Sequence, residues 1–182
     1  MSELITLDNK QKKALIEVAR EAIKGNLGYE SHIPVLKDDI FKEECGLFVT
    51  LYKKENLRGC IGQITSNTPL AALTEEMALH AAFHDSRFSP LSKNEYEDLV
   101  IKISVLTPPK NVEFDEIEVG RDGVVLRKDG KSSVFLPNVA VEQGWNKIDM
   151  MERLCQKAGL DKDAWTEGAK FEAFQSIEFG EK

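Results

Sequence analysis

The sequence predicts an α+β fold: a two-lobed single unit of mostly antiparallel β-sheet packed by helices. Three observations predict it. Strand-like runs come as hairpin pairs, residues 47–52 with 57–64 and residues 124–127 with 134–136, separated by turn residues. Single helical stretches near residues 8–25, 69–84 and 148–158 interleave with these pairs, without the βαβ rhythm of a parallel sheet. At 182 residues, 42% hydrophobic and 30% charged, the chain fits one domain, 1–182, or one domain with two lobes.

Each element has local signals. Asp8 caps a first helix and Gln11 completes a capping box. Leu15, Val18, Ala19, Ala22 and Ile23 then recur at helical spacing, and Gly25 closes the run. Residues 26–34 read as a loop and 39–44 as a short helical turn. Residues 47–52 are β-rich, and Lys53-Lys54-Glu55-Asn56 is the turn into residues 57–64. Asn67-Thr68-Pro69 gives a capping residue and then proline near a first helical position. Leu70, Leu73, Met77, His80 and His84 follow at steps of three and four, so both histidines fall on the apolar stripe. The segment from Asp85 to Pro90 breaks that helix.

Residues 99–106 alternate, with Leu99, Ile101, Ile103 and Val105 on one face, until Pro108-Pro109 stops the strand. Asp122-Gly123 and Asp129-Gly130 flank residues 124–127, and the region reads as a meander of short antiparallel strands. Residues 137–144 fit neither period. A helix over 148–158 carries Met151, Leu154, Cys155 and Ala158, closed by Gly159. The tail alternates through Phe171, Ala173, Gln175, Ile177 and Phe179 and reads as one last strand. No internal repeat or low-complexity linker marks a domain boundary.

Composition ranks the function classes. Formal net charge is −7 and the one basic cluster is Lys10-Gln11-Lys12-Lys13, so nucleic-acid binding comes last unless folding assembles a local basic patch. No apolar run approaches the ~20 residues of a membrane span. Met1-Ser2-Glu3-Leu4 lacks the basic start and apolar core of a signal peptide. Cys45, Cys60 and Cys155 are odd in number and far apart, which suggests reduced thiols and a cytoplasmic location rather than a disulfide frame or zinc ribbon. Phosphate-loop and dinucleotide fingerprints are missing, and no cofactor is expected.

The stretch Leu57-Arg58-Gly59-Cys60-Ile61-Gly62 is the sharpest feature. Two glycines flanking a Cys-Ile pair weaken a strand, so they imply a bend, a bulge or a close approach to the backbone. Strict alternation puts Arg58, Cys60 and Gly62 on one face, with a guanidinium beside a thiol and a bare backbone patch next to both. A nearby cation favours the reactive thiolate; a free cysteine can equally be a small buried hydrophobe. His80 and His84 form an H-x-x-x-H pair, but Ala81 stands where a metalloprotease needs Glu, so two histidines on a half-buried stripe are favoured over a metal site. His84 could instead face Cys60 as a base. Arg87, in Asp85-Ser86-Arg87-Phe88, could hold an anionic group of a ligand, or simply pair with Asp85.

The hexapeptide resembles the hallmark of the AMMECR family, whose prokaryotic members are called protein A of the AmmeMemoRadiSam system. Thr68-Pro69-Leu70, Asp85-Ser86-Arg87-Phe88-Ser89-Pro90-Leu91, the strand ending at Pro108, Leu136-Pro137-Asn138-Val139, Glu142-Gln143-Gly144-Trp145 and the closing helix with Trp165 agree as well. Asn138 departs from the Gln of that pattern. The resemblance implies a two-lobed α+β fold, no assigned catalytic activity, and a Memo-like protein and a radical-SAM enzyme as partners.

Two readings follow. In the first in rank, an interaction or regulatory module presents Arg58, Gly59, Ile61, Gly62, Asp85, Arg87 and Phe88 to a partner or a small anionic ligand, and the glycines let the partner approach the backbone. In the other, Cys60 is a nucleophile or ligand activated by Arg58, with His84 as base. Whether the chain is an enzyme stays open between them.

Overall fold

The computed structural model describes residues 5–182; Met1 to Leu4, the basis for expecting no signal peptide, lie outside the described residues. The elements are α1 (Asn9–Asn26), β1 (Gly46–Lys53), β2 (Asn56–Gln63), α2 (Leu70–Phe83), β3 (Leu99–Leu106), β4 (Lys110–Val112), β5 (Gly123–Lys128), β6 (Lys131–Phe135), α3 (Pro137–Glu142), α4 (Lys147–Lys157), β7 (Lys170–Phe174) and β8 (Ser176–Gly180). The strands form two four-stranded sheets, ordered β2-β1-β3-β8 and β4-β7-β5-β6, with antiparallel pairing, so the fold is α+β. The chain divides into two compact units, Met1–Leu106 with Ile177–Lys182, and Thr107–Ser176.

In the first unit, Leu47, Val49 and Leu51 of β1 and Ile101, Ile103 and Val105 of β3 bury one sheet face. Against it packs α2 through Leu70, Leu73, Met77, Ala78 and Ala81, with Leu15, Ala19 and Ile23 of α1 in the same core. Because α2 meets both α1 and the sheet, its apolar surface is far wider than one stripe. The expected Asp8–Gln11 capping box is present at α1. The helix runs through Gly25, however, and ends in Leu27 and the left-handed Gly28. At α2 the cap is Pro69 itself rather than Asn67 or Thr68; the first free helical N–H, that of Leu70, donates to the Glu43 carbonyl at 2.9 Å.

In the second unit, Met150, Met151, Leu154 and Cys155 of α4 pack on Val124, Leu126 and Phe171. The meander expected around residues 122–136 is only partly realised: β5 and β6 form a hairpin, but the other neighbour of β5 is β7. Strand β4 had no sequence signal, and residues 137–142 form α3. The tail expected as one strand is two, β7 in the second sheet and β8 in the first. The break falls at Gln175, whose N–H donates to Thr107 Oγ1 and whose carbonyl accepts from the Thr107 N–H, each at 2.8 Å.

Candidate functional site

Strand β2 lies at a sheet edge, so one side of its backbone bonds β1 and the other has no strand partner. Leu57 lies opposite Tyr52 and Gly59 opposite Leu51, which leaves Arg58 as the extra residue of a bulge. A bulge re-aims its side chain, and Arg58 points to Glu95. Its Nε donates to Oε1 at 2.9 Å and its Nη2 to Oε2 at 3.1 Å and to the Ser89 carbonyl at 2.9 Å. Arg58 is only 9% exposed. Glu95 also accepts from Lys53 Nζ and from the Ser92 N–H and hydroxyl. The Arg58 hydrogen bonds, foremost, hold the Glu95 carboxyl well below the ordinary carboxylate range. The expected guanidinium beside the thiol is therefore corrected: Arg58 belongs to Glu95.

The glycines are also explained from within. A Cβ on Gly59 would stand 2.1 Å from the Ala81 carbonyl oxygen of α2. One on Gly62 would meet the Leu47 carbonyl oxygen at 2.3 Å and the Phe48 ring at the same distance. The patch expected to be bare is filled by the chain's own helix and ring, so Gly59 and Gly62 serve packing instead of admitting an outside partner.

Cys60 lies directly opposite Thr50, and its Sγ is 3.2 Å from Thr50 Oγ1. The Cys60 peptide faces the open edge. Its N–H donates to Asp85 Oδ2 at 2.9 Å and its carbonyl accepts from Arg87 Nη2 at 3.2 Å. Arg87 in turn donates to Asp85 from Nε at 3.0 Å and from Nη2 at 2.7 Å. The Asp85–Arg87 pair thus stands in for one residue of a missing neighbour strand and blunts the edge at Cys60. The Asp85 side chain is buried, and the Arg87 hydrogen bond is the main cause that holds its carboxyl well below the usual range; Arg87 is raised in return. Phe88 lies beside both guanidiniums, 5.5 Å from Arg87 Cζ and 5.9 Å from Arg58 Cζ.

His80 and His84 meet edge to face at 5.5 Å at the C-terminal end of α2, where His84 is the cap. Among the described residues neither forms a hydrogen bond to Cys60, and no group of three His, Cys, Asp or Glu is placed to hold a metal ion. Cys45 and Cys155 are buried, and burial raises both thiols, Cys45 to about 11. Cys60 is half-exposed. Ile61 is half-buried against the first unit's core. Sequence reasoning missed Glu95 and Thr50. Glu95 had a signal in Ser92-x-x-Glu95, a capping-box pattern; Thr50 emerges only from the hairpin register.

The AMMECR1 family pattern matches residues 16–179, and the chain belongs to that family. Protein MK0488 of Methanopyrus kandleri is 38% identical over 91% of this chain and 84% of its own length. Protein MJ0810 of Methanocaldococcus jannaschii is 35% identical over 91% and 88%. The crystal structure of the uncharacterised protein PH0010 from Pyrococcus horikoshii superposes with a TM-score of 0.88 at 36% identity, covering 97% of this chain and 94% of that one. No helix among the described residues is long and apolar enough to cross a membrane.

Proposed function

We propose that the chain is an interaction module whose docking strip is Leu57, Cys60, Arg87 and Phe88 along the open edge of β2. One observation carries this reading. The Arg58 guanidinium that a thiol reaction would recruit is turned to Glu95 through Nε and Nη2, its Nη1 buried without a partner among the described residues, and the Cys60 peptide is fixed by Asp85 and Arg87. Leu57 (40% exposed) and the Arg87 side chain (54%) stand outward on that rigid frame. A fixed strip with an apolar anchor and a cation suits recognition, because little ordering is needed on binding. The partners to which the family resemblance points are a Memo-like protein and a radical-SAM enzyme. The test is calorimetric titration of each, taken from the same organism, against the full chain. Leu57→Glu and Phe88→Ala should weaken binding about tenfold or more, as loss of an anchor does. Unchanged affinity in both variants overturns the docking strip.

A second reading has Cys60 as a reactive thiol, favoured by its half-exposure and by the Arg87 guanidinium on its own carbonyl. Iodoacetamide labelling across pH decides it. A midpoint below the free-thiol value of about 8.5 that rises in Arg87→Ala supports an activated thiol, and labelling only on unfolding removes it.

A further inference from the structure

The H-x-x-x-H pair of α2 takes no part in the docking strip. His80 and His84 stand one helical turn apart, and their rings meet at 5.5 Å with planes at 85°. The sequence favours a half-buried packing stripe for both, and His80 is half-buried as that stripe requires. His84 is not: it is the exposed C-cap of the helix, so packing does not account for its ring. Neither ring hydrogen-bonds a described residue. Each neutral imidazole therefore keeps an uncommitted nitrogen lone pair.

The surroundings favour a cation. The pair closes α2, and the C-terminal end of a helix carries partial negative charge. The helix holds Glu75 and Glu76 and no lysine or arginine, with Glu76 one turn before His80 on the same face. Arg87, a little further along the chain, is spent on Asp85 and on the Cys60 carbonyl. A dication held about 2 Å from one nitrogen of each ring sets the ring centres roughly 5 Å apart, close to the separation observed.

We infer that His80 and His84 together chelate one transition-metal dication of the kind imidazole suits, Ni²⁺, Cu²⁺ or Zn²⁺. Among the described residues no third His, Cys, Asp or Glu is placed to join them, so water or a group from outside completes the coordination. Structural zinc sites close on four protein ligands and catalytic ones on three. Two ligands make an open, exchangeable site instead. A metal bridging these two positions also pins the last turn of α2, so binding stabilises the fold. This site is independent of the β2 docking strip.

The test is calorimetric titration of the full chain with the chlorides of nickel, zinc and manganese in a non-chelating buffer, beside His80→Asn, His84→Asn and His32→Asn. Ni²⁺ and Zn²⁺ should each bind at one ion per chain, and Mn²⁺, which suits oxygen ligands, far more weakly. Affinity should fall about tenfold or more in His80→Asn and in His84→Asn and stay unchanged in His32→Asn. Paramagnetic Ni²⁺ should broaden the ring NMR signals of His80 and His84 and leave those of His32, the remaining histidine, sharp. Because His84 is exposed, His84→Asn should melt with the parent chain, which separates lost binding from lost folding. No saturable binding of Ni²⁺ or Zn²⁺ up to about 1 mM, or equal binding in His84→Asn, overturns the inference. Binding that is lost in Cys60→Ser and kept in His84→Asn assigns the metal to the thiol and overturns it as well.

Discussion

The β1–β2 and β5–β6 hairpins share a tight left-handed turn and differ in what answers their lysines. Lys54 and Glu55 take φ of 48° and 66° at the first turn, and Asp129 and Gly130 take 50° and 75° at the second. At the first hairpin each arginine meets a carboxylate: Arg58 with Glu95, and Arg87 with the buried Asp85. At the second, Arg127 meets Glu172, while Lys128 and Lys131 rest on carbonyls. Neutralised charge makes a stiff strip on which exposed groups can be displayed. The two hairpins therefore differ in what their lysines find to bond, a carboxylate for Lys53 at the first and carbonyls for Lys128 and Lys131 at the second.

The comparison breaks first at Glu95. Glu95→Gln leaves the buried Arg58 charge without its counter-ion, and stability measured by urea unfolding should fall by about 3 kcal/mol. The pH dependence has a fixed sign. Glu95 and Asp85 both titrate lower in the folded state than the roughly pH 4 of unfolded carboxylates, so the folded chain binds these protons more weakly. Their contribution is complete above that range and is lost as pH falls through and below it. The urea midpoint should therefore drop on acidification, with a shallower slope in Glu95→Gln; an equal slope would show that this pair does not carry the acid sensitivity.

Gly59→Ala comes next. Its methyl would stand 2.1 Å from the Ala81 carbonyl oxygen, and α2 must move away, at a cost of about 2–3 kcal/mol by thermal or chemical unfolding. Gly130→Ala at the other hairpin meets no atom, and only its φ of 75° opposes the change, so about 1 kcal/mol is expected. Equal losses at the two glycines would refute the close approach of α2 to β2.

The smallest effect is at the first turn. Lys54→Asn with Glu55→Gly installs the residues that favour both left-handed positions, and should raise stability by about 0.5–1 kcal/mol. It should leave the Leu57 strip unchanged in the partner titration.

Much of the fold was legible in local chemistry. The Asp8–Gln11 box, the Asp129-Gly130 turn, the alternation over residues 99–106 and the left-handed Gly159 after α4 each act within a few residues, where side chain and backbone decide the outcome alone. The hexapeptide was likewise visible as an anomaly, two glycines in a strand. What the glycines admit was not, because Ala81 and Phe48 reach them only after α2 docks and β1 pairs. Alternation placed Arg58 beside Cys60; a bulge, which appears only when two strands set their register, turned it to Glu95, 37 residues away. The tail shows the same limit, since one alternating run serves two sheets and the break at Gln175 is made by Thr107. The second hairpin shows it too, since Arg127 finds Glu172, and Lys128 and Lys131 find distant backbone carbonyls, only after the strands and the helices beside them are in place. Sequence determined which residues bend, cap and alternate; tertiary pairing decided which charges meet, because a long side chain bonds whatever the register sets within its reach.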